Sequence, residues 1–214
     1  MRLAGYVALF FLSLGVVGYA VGVYGFLPLG ALVHPEMRAT FEAERVAIYA
    51  HIFASAVALA IGPVQFSTRI RRRYQTVHRW LGRTYLGVGV VVGGLAGLFV
   101  AFNAFGGVPA RLGFACLAVA WLYTGLRAYR AIRAGDIATH RRWMIRNFAL
   151  TFAAVTLRIW LPSSMALGID ATLAYQVIAW LCWVPNVVVA EIVFNRSNEV
   201  PLTASDFLPP PIQE

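Results

Sequence analysis

Two short segments of this sequence carry the same residue types in the same order: His78-Arg79-Trp80 within VHRWLGRTY, and His140-Arg141-Arg142-Trp143 within THRRWMIRNF. An imidazole can carry a proton or ligate a metal near neutral pH, and a guanidinium offers five N–H donors to a carboxylate or phosphate. Each cluster opens a long apolar run, so its chemistry must take place where a hydrophobic segment begins. The two histidines are 62 residues apart, and the same shift carries Arg71 onto Arg133. A helix, an arginine-rich turn and a second helix opening with His-Arg therefore occur twice. Each unit holds two helices, so the copies should share one orientation, related by an axis along the membrane normal.

The elements that position these residues follow from composition. Hydrophobic residues make up 60% of the 214 and charged residues 13%, against about 25% charged in a soluble domain. A bilayer core about 30 Å thick needs about 20 apolar residues per helix. Six such segments can be read: 3–25, 44–66, 77–105, 109–132, 140–162 and 171–194. The expected fold is all-α, an integral membrane six-helix bundle with a four-helix core from the repeated helix pair and one flanking helix at each end. Residues 1–195 form the transmembrane domain. The polar, proline-rich stretch 196–214 has little to bury and is expected to be a disordered cytoplasmic tail. The first apolar run exceeds the 7–15 residues of a signal-peptide core, so it is expected to stay as a helix.

All eighteen basic residues are arginine, and the formal charge is +9. Arg69, Arg71, Arg72, Arg73, Arg79 and Arg83 crowd the junction of the second and third segments. Arg127, Arg130, Arg133, Arg141, Arg142 and Arg146 crowd that of the fourth and fifth. The positive-inside rule places both junctions in the cytoplasm, and six helices then bring both termini there as well. The setting expected is a cytoplasmic (inner) membrane. No zinc-finger spacing or aromatic-rich basic face supports nucleic-acid binding. Cys116 and Cys182 lie inside apolar runs and read as small packing residues.

Helical spacing assigns faces. In the second segment His51, Ser55, Ala58, Gly62 and Gln65 form one stripe. In the third, His78, Gly82, Tyr85, Gly89 and Gly93 do so, and in the fifth His140, Asn147, Thr151, Ala154 and Arg158. Polar stripes avoid lipid, so these faces should turn inward. His78 and His140 sit at the cytoplasmic edge, with Glu191 near that end of the sixth segment, where it would neutralise Arg83 or Arg146. His51 lies fifteen residues from Phe66, about 22 Å away at 1.5 Å per residue. It belongs to the outer half, near Arg158 and with Gln176 and Glu44 as further neighbours, so the three histidines should not share one metal. His51, Gln65, Asn147, Arg158, Asn186 and Glu191 are the polar interior candidates.

YAHIFASAVALAIGPVQF, HRWLGRTY, HRRWMIRNFALTFAAVTLR and AWLCWVPN together resemble a family of bacterial multi-pass membrane proteins classed as a domain of unknown function. The resemblance runs from about Ala43 to Glu191 and implies no particular activity. The chain is more loosely similar to di-haem b-type membrane cytochromes, which hold haem between histidines of facing helices. That similarity implies one haem b with His78 and His140 as its iron ligands. Arg79, Arg83, Arg141 and Arg142 would then meet the propionates, and the glycine face of the third helix would admit the ring. His51 has no histidine partner on the fourth helix, where Phe114 or Cys116 lies at comparable depth.

Three functions follow as expectations. One is electron transfer through a haem or a quinone headgroup between the third and fifth helices. Another is small-molecule or anion transport along a polar path from the inner cluster to His51–Arg158. The last is an accessory subunit that holds anionic lipid or an electron-transfer partner. The sequence has no G-x-S-x-G, no H-E-x-x-H and no paired intramembrane carboxylates of a hydrolase.

Overall fold

A computed structural model describes residues 3–195; the expected tail, 196–214, lies outside the described residues. Every regular element among them is helical. Within a bilayer no water can satisfy a backbone N–H or C=O, so an apolar run must bond to itself as a helix. Six helical spans are long and apolar enough to cross. They are Ala4–Phe26, Arg45–Gln65, Gln75–Ala101, Gly107–Arg133, Ile137–Ala166 and Ala171–Ile192, here spans 1 to 6. Two short helices lie between spans: Pro35–Ala43 and Thr68–Arg73. The latter carries four arginines of the first arginine-rich turn, and Ser67 caps it by accepting the Ile70 N–H at 3.5 Å.

Spans 2, 3, 4 and 5 pack in a ring. Span 1 covers the seam of spans 2 and 5, and span 6 covers that of spans 4 and 5. The four-helix core of a repeated pair with one flanking helix at each end is therefore observed. Lipid offers no hydrophobic gain for bringing helices together, so close backbone approach has to supply the attraction. Two glycines allow it. A Cβ on Gly89 would lie 2.6 Å from the Ala58 Cβ, and one on Gly62 would lie 2.1 Å from the Phe148 ring. Phe148 in turn meets Phe66 edge-to-face at 5.3 Å.

Three spans depart from regular α-helix. Span 3 widens into a π-helical stretch over Tyr85–Val92. Span 5 breaks at Phe152, between Ile137–Thr151 and Ala153–Ala166. Span 6 breaks at Cys182 and Trp183, before Pro185 starts the next turn. Asn186 ties that break down. Its Nδ2 donates to Cys182 O at 2.9 Å and Thr156 Oγ1 at 3.2 Å, and it lies 3.3 Å from Ala149 O. The expected stop at Pro162 is corrected, because span 5 runs on to Ala166 with Pro162 inside it. Proline removes its own N–H and crowds the carbonyl four residues back, which can kink a helix without ending it, and Ser163 Oγ and Ser164 Oγ hold that turn by donating to Ile159 O and Leu161 O.

Candidate functional site

The four-helix ring has a different polar cluster at each depth. At its centre, Tyr85 Oη donates to Asn147 Oδ1 at 2.8 Å and lies 2.8 Å from Thr151 Oγ1. Asn147 Nδ2 donates to Trp121 O and Thr124 Oγ1, both at 2.8 Å, and Trp121 Nε1 donates to Thr151 Oγ1 at 2.9 Å. Tyr85 and Asn147 are both 0% exposed. Spans 3, 4 and 5 are thus locked by a network in which the buried groups satisfy one another. Such a network fixes one arrangement of helices because every alternative strands a polar atom. Asn147 was legible as an interior residue. Thr124 and Trp121 were not singled out as polar partners, although the 62-residue shift takes Gly62 onto Thr124.

Toward the arginine-rich face the network gives way to a mouth. Gln65 Nε2, at the end of span 2, donates to His78 O at 3.1 Å. His140 Nδ1–H donates to Ala128 O of span 4 at 2.9 Å, which leaves Nε2 as its free ring atom. The His78 ring lies within electrostatic range of Arg71, His140 and Arg79. Arg71 in turn lies within range of Arg141 and Arg72. Burial, and then these two like charges, hold the Arg71 guanidinium below its usual 12.5. Three buried polar atoms at this end have no hydrogen-bond partner: Gln65 Oε1, Arg71 Nε and His78 Nδ1.

The other candidates at this end separate from that cluster. Arg83 sits over the Trp80 ring at 4.9 Å, and Trp80 is 62% exposed, so this pair belongs to the bundle's outer surface. Arg142 lies near Asp136, whose carboxylate caps span 5 by accepting the Thr139 N–H at 2.9 Å. Glu191 pairs with Arg146 rather than Arg83; both Arg146 Nε and Nη2 donate to the carboxylate, the latter at 2.9 Å. Arg146 and Arg127 flank the Trp143 ring at 4.5 and 4.9 Å. Among the described residues, Arg146–Glu191 is the single ion pair.

The expected haem does not fit this packing. Its ring would need space between spans 3 and 5 below the histidines, and Tyr85 and Asn147 occupy that space. The glycine face expected to admit the ring is covered by span 2. Gly89 lies against Ala58, Gly93 against Ser55 and Gly97 against the His51 imidazole. One propionate partner, Arg83, faces outward.

In the opposite half, His51 Nδ1–H donates to Gly93 O at 2.8 Å. His51 and Arg158 line one cavity, as their shared depth suggested. Gln176 and Glu44 do not join them. Gln176 Nε2 donates to Gly106 O at 2.8 Å, and Glu44 accepts from Asn103 Nδ2.

Comparison with curated proteins and with solved structures returned no match. The sequence profile of one family, described as "Predicted membrane protein (DUF2306)", matches residues 48–194. That stretch contains spans 3 to 5 whole, nearly all of span 2 and all of the described part of span 6, and with them both polar clusters. The chain belongs to this DUF2306 family of membrane proteins.

Proposed function

We propose that this protein binds a phosphate-bearing anion, foremost the headgroup of an acidic phospholipid, at the mouth formed by Arg71, His78, Arg79, His140 and Arg141. The observation that carries the reading is the pair of unpartnered buried nitrogens, Arg71 Nε and His78 Nδ1, in a cluster of arginines. Two carboxylates at this end of the bundle are already engaged, Glu191 with Arg146 and Asp136 with the Thr139 N–H. A buried guanidinium N–H without an acceptor is costly, and a phosphate supplies both negative charge and acceptor oxygens. Basic pockets at helix ends on the cytoplasmic side bind such headgroups. In this reading the arginine-rich face is cytoplasmic, in a bacterial inner membrane, and the protein serves as a lipid-holding or lipid-handling subunit.

The test uses the full chain in nanodiscs of zwitterionic lipid with increasing phosphatidylglycerol. A headgroup at one hundred times its Kd stabilises by about 2.7 kcal/mol, so the melting temperature should climb with anionic lipid. Arg71→Gln and His78→Asn should flatten that climb. A second arm adds inorganic phosphate in detergent, and stabilisation there would identify free phosphate as the ligand. An equal response of both variants and the parent to anionic lipid would sink the proposal.

One observation favours a second reading, a quinone headgroup. His140 is anchored through Nδ1, which leaves Nε2 to meet a carbonyl oxygen. Electron transfer through a quinone predicts a saturable change in melting temperature with a short-chain quinone, abolished in His140→Ala. A dithionite-reduced spectrum of protein expressed with haem precursor separates this from haem, because only haem gives a b-type band.

A further inference from the structure

The half of the bundle away from the arginine-rich face has a second feature, independent of the mouth. Spans 1, 2 and 5 line a partly open cavity of ≈ 80 Å³, whose wall includes Val16, Ala20, His51, Ser55, Ala154 and Arg158. Two of its lining residues carry a buried polar atom without a hydrogen-bond partner, Ser55 Oγ and Arg158 Nε. Arg158 is held in place from two sides. Its Nη1 donates to Ala154 O at 2.9 Å, and its guanidinium lies over the Tyr19 ring at 5.2 Å. No carboxylate among the described residues lies within ion-pair distance of it.

A guanidinium inside a membrane span needs a counter-charge or a route to water. Snorkelling would turn the head toward the interface, but here the bond to Ala154 O and the Tyr19 ring hold it beside the cavity. Ser55 on the facing span adds a hydroxyl donor, and His51 is fixed at the wall by its bond to Gly93 O. A volume of ≈ 80 Å³ is small and suits a compact occupant.

We propose that the cavity lined by His51, Ser55 and Arg158 is a binding site for a small monovalent anion, of halide or formate size. Arg158 supplies the charge and Ser55 a hydrogen bond. Span 1 forms one wall of the site with Val16, Val17 and Ala20.

Bromide serves as the probe, because its anomalous scattering reports position. Crystals of the full chain grown with sodium bromide should show a peak between Arg158 and Ser55. In detergent, bromide should raise the melting temperature saturably over gluconate at equal ionic strength. Arg158→Gln should weaken the apparent affinity roughly tenfold, as expected from the loss of a charge-assisted bond. Ser55→Ala, a change of one hydroxyl, should weaken it several-fold and keeps the test valid if Arg158→Gln does not fold. Water alone in the cavity, a peak only at the arginine-rich mouth, or a bromide response unchanged in both variants would overturn the proposal. Because the mouth is tested through Arg71 and His78, the two sites stand or fall separately.

Discussion

Tyr85 and Asn147 stand 62 residues apart in the chain and touch at the centre of the bundle, the phenol donating to the amide oxygen at 2.8 Å. The same interval separates His78 from His140, whose rings lie within electrostatic range of each other. Residues 62 apart thus come together at two depths: a pair of histidines at the mouth, and a hydrogen-bond donor with its acceptor at the centre.

The central network should be measurable. Tyr85→Phe removes the hydroxyl that joins Asn147 to Thr151. Side-chain hydrogen bonds in membrane bundles average about 0.6 kcal/mol and reach about 1.7, so a loss of about 1–2 kcal/mol is expected. A double-mutant cycle with Asn147→Leu, read by unfolding in detergent, should return a coupling of about 1 kcal/mol. Additive single effects would show that the two residues do not act together.

Gly62 tests the packing of spans 2 and 5. An alanine there meets the Phe148 ring at 2.1 Å, and overpacking of this kind costs about 1–3 kcal/mol. Phe148→Leu trims the opposing ring, so the Gly62→Ala, Phe148→Leu double variant should be more stable than Gly62→Ala alone. Melting temperatures of the four proteins decide it; a double variant as unstable as the sum of the two would contradict the contact.

Asp136 gives a pH dependence with a definite sign. Its carboxylate accepts the Thr139 N–H at the start of span 5, which holds its pKa below the usual 3.8. A depressed folded-state pKa contributes stability above the unfolded value, lost as pH falls through the folded one. Asp136→Ala should therefore melt earlier than the parent at pH 6, and the gap should shrink as the pH is lowered below about 4. A gap independent of pH would assign the loss to helix propensity instead.

Orientation is open to direct labelling. The turns around Arg72 and Gly135 lie on one face, those around Phe105 and Gly168 on the other. Single cysteines at Arg72 and Gly135 should react with an impermeant maleimide only after the cell is opened, and cysteines at Phe105 and Gly168 in intact cells. The opposite pattern would reverse the proposed topology.

The sequence by itself determined the solvent, the six spans, the repeat and the inward faces. Those depend on local quantities: an apolar run long enough to cross, a spacing that gathers His51, Ser55 and Ala58 on one side, and arginines confined to two turns. It also placed His51 and Arg158 together, because depth along two straight helices can be counted. What fills the space between helices was decided only by the tertiary structure. The glycines of span 3 looked able to admit a flat ring, and the ring beside Gly97 proved to be the imidazole of His51, brought there by span 2. Glu191 had two arginines within reach along the chain, and rotation of span 6 against span 5 chose Arg146. Thr124 and Trp121 became partners of Asn147 and Thr151 because span 4 turns them inward. Periodicity fixes which side of a helix is buried. The neighbour it is buried against depends on how far each helix is rotated and shifted, and that is set by close contacts such as Gly62 with Phe148 and Gly89 with Ala58, between residues far apart in the chain.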